Sequence, residues 1–527
     1  MVSSHAVDYC ASRSAATPLL AQENARTLTP THPSRFRRWA KRGALALFAA
    51  ALFAGAASML LPNVPLNQDR STSSDDRVVG AVHMHTRLSD GSGTVDDLVE
   101  AAVSEGLDFI VVSDHNTAEP TRYEYRRGVL VIVAEELSAP TGHVMLLDVD
   151  TVRASEPDST DRAFGFPLHR PLGDAGLLLV SHPNGRRYWR DRSLSTVDGA
   201  EIWNADSEWR NDTVLDWIEA LTLLPFRPAL GMMALVDRPD RNLALIDSVS
   251  AVRDIATTCA VDAHARIRIT DDFLIPFPSY RMTLGLVQHH LRLTEPLTGD
   301  AERDGAIVTE SLRRGEGYCA IGGVADAAAV RIEAAGEELI VAVPPAVESA
   351  RIRIYRDGTL VEDREGPELR LPVSEPGSYR VEIDVRARLL RARRLPWILS
   401  APIRVGRSPD DPPTSVLGGF EDDYGNRHEI SDTVWQDVGT RYRVEEWRAS
   451  QQYLIARLDD ASAPGATAWA RIDWVLLGDG SPWAWAFCIS DWDAHTYAEA
   501  RASGAADRAD LRTGCGGFPF SRMRPIP

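Results

Sequence analysis

Apolar residues along this chain fall into three regimes. From about Arg77 to about Gly322, short apolar runs alternate with stretches of helical period. Leu107–Ser113, Val129–Ala134, Val144–Leu147, Gly176–Ser181 and Cys259–Val261 are brief, almost wholly apolar and bounded by turn residues, which is how strands of a sheet covered on both faces read. Between them Thr94-Val-Asp-Asp97 forms a capping box with Asp97 in place of Glu. Val95, Leu98, Val99, Ala102 and Val103 then share one helical face, and Gly106 supplies the stop. A second helix is expected to be capped by Asn211-Asp212 and to bury Val214, Leu215, Ile218 and Leu221.

After Gly322-Gly323 the pattern changes to short alternating runs: Val330–Glu333, Leu339–Val343, Ala350–Tyr355, Leu369–Leu371 and Tyr379–Val385, with turns at Arg356-Asp-Gly358 and Pro376-Gly377. Regularly spaced short strands predict a β-sandwich over 328–405, with Arg386–Arg394 as an exposed strand or hairpin. A linker over 406–417 leads to a Trp-rich segment, 418–527, expected to be a small, mostly β domain packed around its tryptophans.

Upstream, Gly43–Leu61 is uncharged and apolar, close to the ~20 residues that cross a bilayer. Residues 1–42 are basic and end in Arg35–Arg42, which places them on the cytoplasmic side and everything beyond linker 62–76 outside. A cleaved signal peptide is the rival reading, with Ala54-Gly-Ala56 as the cleavage site, and Arg37-Arg38 also permits a twin-arginine signal. Every version exports the 77–325 region. Export makes Cys488 and Cys515 the expected disulfide, while Cys259 and Cys319, on apolar stretches, are expected to be buried thiols. The net charge of −18 excludes binding of nucleic-acid duplex by a positive surface for the bulk of the chain.

The candidate chemistry lies at the strand ends. His83-Met-His85 closes the first run; neutral imidazole is the commonest protein metal ligand, and alternate residues of a strand share a face. Asp90 follows in a Gly/Ser loop. Asp114-His115-Asn116, Glu135-Glu136, His182-Pro183 and Asp262-Ala-His264 close later runs, and His143 opens one. Of 13 histidines, six fall in this series. His289-His290 has no partner pattern and is expected in a helix or loop; His169, His428 and His495 are expected to be structural or exposed.

These motifs resemble the series of the PHP (polymerase and histidinol phosphatase) superfamily over roughly Arg77–Gly323: His83-Met-His85, Ser-Asp90-Gly, Ser-Asp-His115-Asn, Glu136-Leu-Ser, Gly-His143, Ser-His182-Pro and Asp262-Ala-His264. The resemblance implies an α/β fold, a distorted (β/α)7 barrel, binding up to three divalent ions. His83, His85, Glu136 and Asp262 would hold one ion. Glu136 would bridge to a second, held by His143 and His182, and Asp90, His115 and His264 would hold a third. The Leu-Ser after Glu136 selects it over Glu135. The region 328–405 resembles the immunoglobulin-like module that follows some of these barrels.

The implied activity is phosphoester hydrolysis by a metal-activated hydroxide, with His83, His85, Glu136, His182, Asp262 and His264 as its catalytic set. Mixed imidazole and carboxylate donors suit zinc, manganese or iron. Arg186, Arg187 and Asn116 are the candidates for substrate contact. An exported enzyme would meet phosphorylated small molecules or polymer-linked phosphate. The alternatives are a metal-dependent hydrolase of another bond and a surface protein whose barrel holds metal without turnover. Oligomeric state is not legible.

Overall fold

The computed structural model describes residues 76–526, except 140–141, 149–175, 186–188, 190–191, 193, 195–196, 210–211, 271–272, 323, 336, 346, 348, 389–391, 407–409, 438, 460–467, 478–480 and 509, and also Lys41 and Phe53. The expected membrane helix or signal anchor, 43–61, lies outside the described residues apart from Phe53. Among the described residues no helix is long and apolar enough to cross a membrane.

Among the described residues eight strands open the fold: β1 (Arg77–Met84), β2 (Phe109–His115), β3 (Tyr123–Arg126), β4 (Val129–Ala139), β5 (Gly142–Leu147), β6 (Leu177–Ser181), β7 (Gly199–Asn204) and β8 (Ala256–Ala263). All but β3 form a closed barrel in the order β1-β2-β4-β5-β6-β7-β8, with β8 pairing back onto β1. Neighbours are parallel except at β5, which runs against both β4 and β6. Helices therefore do not separate every pair of strands: β2 leads into the hairpin β3–β4, and β4 turns directly into β5.

Strand parity sets the two faces of the wall. Val82, Phe109, Val111, Leu130, Ile132, Met145 and Leu179 fill the interior. Ala81, Ile110, Val112, Val131, Val144 and Val180 face the outer layer. Both faces are apolar, which is why the runs read as continuous rather than alternating.

The first helix, Val95–Ser104, has the Thr94/Asp97 capping box, and Gly106 takes a φ of 64° just past its end. The second differs from expectation. Helix Val214–Leu223 is capped by Thr213, whose hydroxyl accepts from the Asp216 N–H, and not by Asn211-Asp212. Val214, Leu215, Ile218 and Leu221 are exposed; the buried face carries Asp216, Glu219, Ala220 and Leu223. Apolar periodicity misleads here because Asp216, an acid that periodicity counts as outward, is turned inward to cap Thr213 and meet Arg393.

Past the barrel come β9 (Ile267–Thr270), β10 (Phe273–Ile275), β11 (Val287–Arg292) and β12 (Gly317–Ile321). β11 pairs with the start of β1, leaving the end of β1 to β8. His289-His290 thus sits in a strand rather than a helix or loop. Cys259 of β8 and Cys319 of β12 are joined as a disulfide, not left as thiols, as are Cys488 and Cys515. Partners 60 residues apart leave no local signal.

The next strands are β13 (Arg331–Ala335), β14 (Glu338–Ala342), β15 (Arg351–Arg356), β16 (Thr359–Glu365), β17 (Glu368–Pro372), β18 (Gly377–Arg388), β19 (Ala392–Ser400) and β20 (Ile403–Val405). The sheet β13-β14-β17 packs Leu339, Val341 and Leu369 into one core with Ile352, Ile354, Val381 and Ile383 of β15 and β18. β19 pairs with β12, so one sheet runs from the barrel into this sandwich. A buried ionic cluster fastens the two. Arg380 of β18 donates two hydrogen bonds, 2.7 and 2.8 Å, to Asp247 of helix Asp240–Ser250 and one of 2.6 Å to Glu382, which also accepts from Arg238 at 2.6 and 2.7 Å. Such buried pairs fix geometry more than they add stability.

The C-terminal strands, β21 (Gly418–Asp422), β22 (Arg427–Ile430), β23 (Val434–Gln436), β24 (Arg441–Arg448), β25 (Tyr453–Leu458), β26 (Trp469–Leu476), β27 (Trp485–Ala494) and β28 (Ser521–Pro525), close in sequence order into a second, antiparallel barrel. Trp435, Trp447, Trp474 and Trp485 fill it, while Trp492 is exposed. His428 is buried there against Asp422 and Trp435.

Burial, with the Asp237 and Asp216 carboxylates nearby, pushes Asp212 up to about 8. Its unfolded value is about 3.9. Between those pH values the unfolded carboxyl is ionised and the folded one protonated, so stability falls as pH rises through that window. Asp212→Asn is therefore expected to raise Tm at pH 8 and to change it little at pH 4, as checked by thermal unfolding across pH; an equal shift at both would contradict the assignment.

Candidate metal centre

Interior parity carries past the apolar layer. On β4 the inward series Leu130, Ile132, Ala134 continues to Glu136, while Glu135 takes the outward parity of Val131 and Val133. Glu136 is 1 % exposed at the end of the barrel where the parallel strands finish. His143 reaches the same end because β5 is reversed: its first residues pair with the last of β4 and β6, Ser138 opposite His143 and His143 opposite Ser181.

His83 does not follow simple alternation. It takes a left-handed φ of 71°, and the β1–β8 register shifts between Val82 and Met84. This bulge turns both imidazoles into the barrel mouth, where His83 Nε2 and His85 Nε2 stand 3.1 Å apart. His182 and Asp262 also have positive φ, 33° and 47°. Such strain costs on the order of 1–3 kcal/mol per residue and clusters at functional sites.

Five imidazoles surround Glu136. Its Oε2 is 3.2 Å from His83 Nε2, 3.4 Å from His85 Nε2 and 3.0 Å from His115 Nδ1. Its Oε1 is 3.1 Å from His143 Nδ1 and 3.2 Å from His182 Nε2. Asp262 Oδ1 closes the first group at 3.4 and 3.3 Å from His83 and His85. Asp90 Oδ1 lies 3.2 Å from His264 Nε2, 3.8 Å from His85 Nδ1 and 3.9 Å from His115 Nε2. Among the described residues three sets of donor atoms thus converge: His83/His85/Glu136, His115/Glu136/His143 and His85/Asp90/His115/His264.

Donors about 2.1 Å from one divalent ion are spaced about 3.0–3.5 Å from each other, which is the spacing of the first group. His85 Nδ1, Asp90 Oδ1 and His115 Nδ1 are buried, and despite these close approaches none makes a well-aligned hydrogen bond. Buried polar atoms are normally satisfied, and these three belong to the converging sets. The donor set therefore fits divalent-metal binding.

In the bare site, carboxylates and imidazoles compensate one another. Burial alone would raise Glu136 and Asp262, but the imidazoles, His83 foremost, hold both carboxyls well below their usual range. Burial would lower His83 and His264, but the facing carboxylates outweigh it: Glu136, Asp262 and Glu201 raise His83, and Asp90 and Asp262 bring His264 to about 9. Burial and the neighbouring cations lower His85.

Two supporting residues, Glu201 and Arg266, went unnoticed in the sequence, whereas Asp114 stood out there at the end of its strand. Glu201, on the inward parity of β7 and fully buried, meets His83 Nδ1 at 2.5 Å and accepts from the His182 N–H at 2.6 Å and from Asn204 at 2.8 Å. A lone glutamate inside Gly199-Ala-Glu-Ile-Trp-Asn204 was the available signal. Arg266 donates to Asp90 Oδ2 at 2.6 Å, turning Oδ1 to the imidazoles. Asp114 accepts from Thr86 N, Thr86 Oγ1 and Ser89 Oγ, holding the loop that carries Asp90. In that loop a Cβ on Gly91 would fall 2.1 Å from the His85 carbonyl, so only glycine fits.

Asn116 accepts from the Ser138 N–H at 2.9 Å and donates to its hydroxyl at 3.3 Å, a loop-holding role. Arg186 and Arg187 lie outside the described residues. Among the described residues, Asn184, Ser207, Glu208, Arg238 and Arg241 line a cavity of about 290 Å³ beside His182.

No protein-family model and no curated protein matches the chain. Among solved structures it is similar to a two-domain protein from Bacteroides vulgatus containing a predicted PHP-like metal-dependent phosphoesterase, at 14 % identity and a TM-score of 0.29, over 65 % of this chain and 97 % of that one.

Carboxylates behind a ligating histidine set its tautomer and basicity. Glu201→Gln is expected to weaken divalent-metal affinity roughly 10–100-fold, read by competition with a chelator. A loss of Tm with unchanged metal affinity would leave Glu201 a purely structural residue.

Proposed function

We propose that this chain is an exported metal-dependent phosphoesterase of the PHP type. The observation that carries the reading is the five-imidazole shell around Glu136, with Asp262 and Asp90 completing it. His83, His85, Glu136 and Asp262 would hold one ion, Glu136, His143 and His182 a second, and Asp90, His115 and His264 a third. Bound divalent ions supply Lewis acidity, which lowers the pKa of water and neutralises charge on a phosphate ester. Zinc, manganese and iron all suit the donors.

The protein's own part is placement. Glu136 separates the two inner groups by one carboxylate width. Glu201 holds His83, and Arg266 and Asp114 hold the Asp90 loop. The 290 Å³ cavity beside His182 is the place for the substrate's anionic end. Arg238, which lines it, is committed to Glu382 of the sandwich, whereas Arg241 is exposed at its rim and is our candidate phosphate contact. Two disulfides support an oxidising compartment. Substrates there are phosphorylated small molecules or polymer-linked phosphate.

The test is a metal analysis of the purified chain with a panel of phosphomonoesters and diesters under manganese and zinc. His83→Ala with His85→Ala should lose bound metal and turnover together while circular dichroism stays unchanged; full activity in that variant would end the reading. Metal bound without turnover on any phosphate ester would favour a binding protein or hydrolysis of another bond. Arg241→Ala should raise KM about tenfold with kcat little changed, the signature of lost uniform binding.

A further inference from the structure

Helix Val214–Leu223 turns its charged residues in and its apolar residues out. Val214, Leu215, Ile218 and Leu221 are 76, 63, 55 and 59 % exposed. At 3.6 residues per turn they fall within an arc of about 120°. Asp216 and Glu219 are the helix's only charged residues, and both are buried. Asp216 accepts from the Thr213 N–H at 3.1 Å and pairs with Arg393 of β19 at 3.4 Å. The outward face is therefore uncharged as well as apolar. Single exposed aliphatic residues need no explanation, but a contiguous stripe marks a surface that meets protein or lipid.

Area separates the two partners. Four aliphatic side chains offer at most about 500 Å² even when fully exposed, below the ~800 Å² per partner of a stable protein interface. A bilayer sets no such minimum for a chain already held at its surface, because the tether supplies the effective concentration. The sequence contains such a tether. Gly43–Leu61 is uncharged, apolar and close to bilayer-spanning length. Linker 62–76 spans at most about 50 Å when extended, comparable to the roughly 45 Å width of a domain the size of this barrel. The helix thus stays within reach of the membrane. With a net charge of −18, an anionic surface repels the bulk of the chain, so the contact is apolar rather than electrostatic.

We infer that helix Val214–Leu223 is a membrane-docking element, whose outward stripe lies in the interfacial zone of a bilayer and rests the barrel against it. The inference rests on the export reading in which Gly43–Leu61 is retained as the anchor, and it stands apart from the metal centre.

The test places a fluorophore on the helix of the full chain reconstituted in phosphatidylcholine vesicles. Cys10, the one cysteine outside the two disulfides, is removed as Cys10→Ser, and Leu221→Cys takes the label. Phosphatidylcholine brominated high on its acyl chain should quench that label at least twofold, with little change at high salt. A label at Tyr424→Cys, exposed on the C-terminal barrel, should stay unquenched. Val214→Glu with Leu215→Glu and Ile218→Glu should return the Leu221 label to the unquenched value, whereas Leu215→Met with Ile218→Met should keep it quenched; thermal unfolding reports the fold of each variant. A chain that does not float with the vesicles would overturn both the anchor and the docking. A chain that floats while its Leu221 label stays in water, or whose quenching survives the glutamates, would overturn the docking alone. A label screened from iodide yet untouched by brominated lipid would put protein on the face, a second copy or another part of this chain, and would overturn it too.

Discussion

One carboxylate organises this molecule. Glu136 is buried where five imidazoles arrive from β1, β2, β5 and β6, and an ionised carboxylate in such a place is stable only because cationic groups or ions compensate its desolvation. The rest of the barrel follows from bringing those groups together. Closure of β8 onto β1 delivers Asp262 and His264 beside His83 and His85, and the reversed β5 delivers His143 to an end it would otherwise leave.

The site is held by a layer of residues behind its innermost side chains. Glu201, Asp114, Arg266 and Tyr280 hold loop and ring positions, the last by donating to the His85 carbonyl at 2.8 Å. Left-handed backbone at His83, His182 and Asp262 is tolerated because these contacts over-determine it. Farther out, the Arg380–Asp247–Glu382–Arg238 cluster ties the cavity beside His182 to the sandwich. The sandwich is thus joined to the barrel by a shared sheet as well as by charge.

Much of this was legible in the residues. The apolar runs located six of the seven barrel strands, Gly199–Asn204 being missed, and the order of metal-type residues after them picked out side chains that meet in space. The Thr94 capping box and the pairing of Cys488 with Cys515 were read correctly. Each of these signals is local, or repeats at a fixed place relative to a strand end. The Val214–Leu223 helix misled because periodicity cannot tell which face meets the core when acids on the buried side are satisfied by a cap and an arginine.

Composition and order alone determined which side chains were available for chemistry: histidines and carboxylates at strand ends, in an acidic chain. Tertiary structure alone decided their distances, since a bulge at His83, a reversed β5 and the closure of β8 on β1 are long-range pairings without a local signature. It also decided what stands behind them, as with Glu201 and the bond between Cys259 and Cys319. The physical reason is that propensity and periodicity act over a few residues, whereas desolvation and charge compensation are settled only when distant strands share one interior.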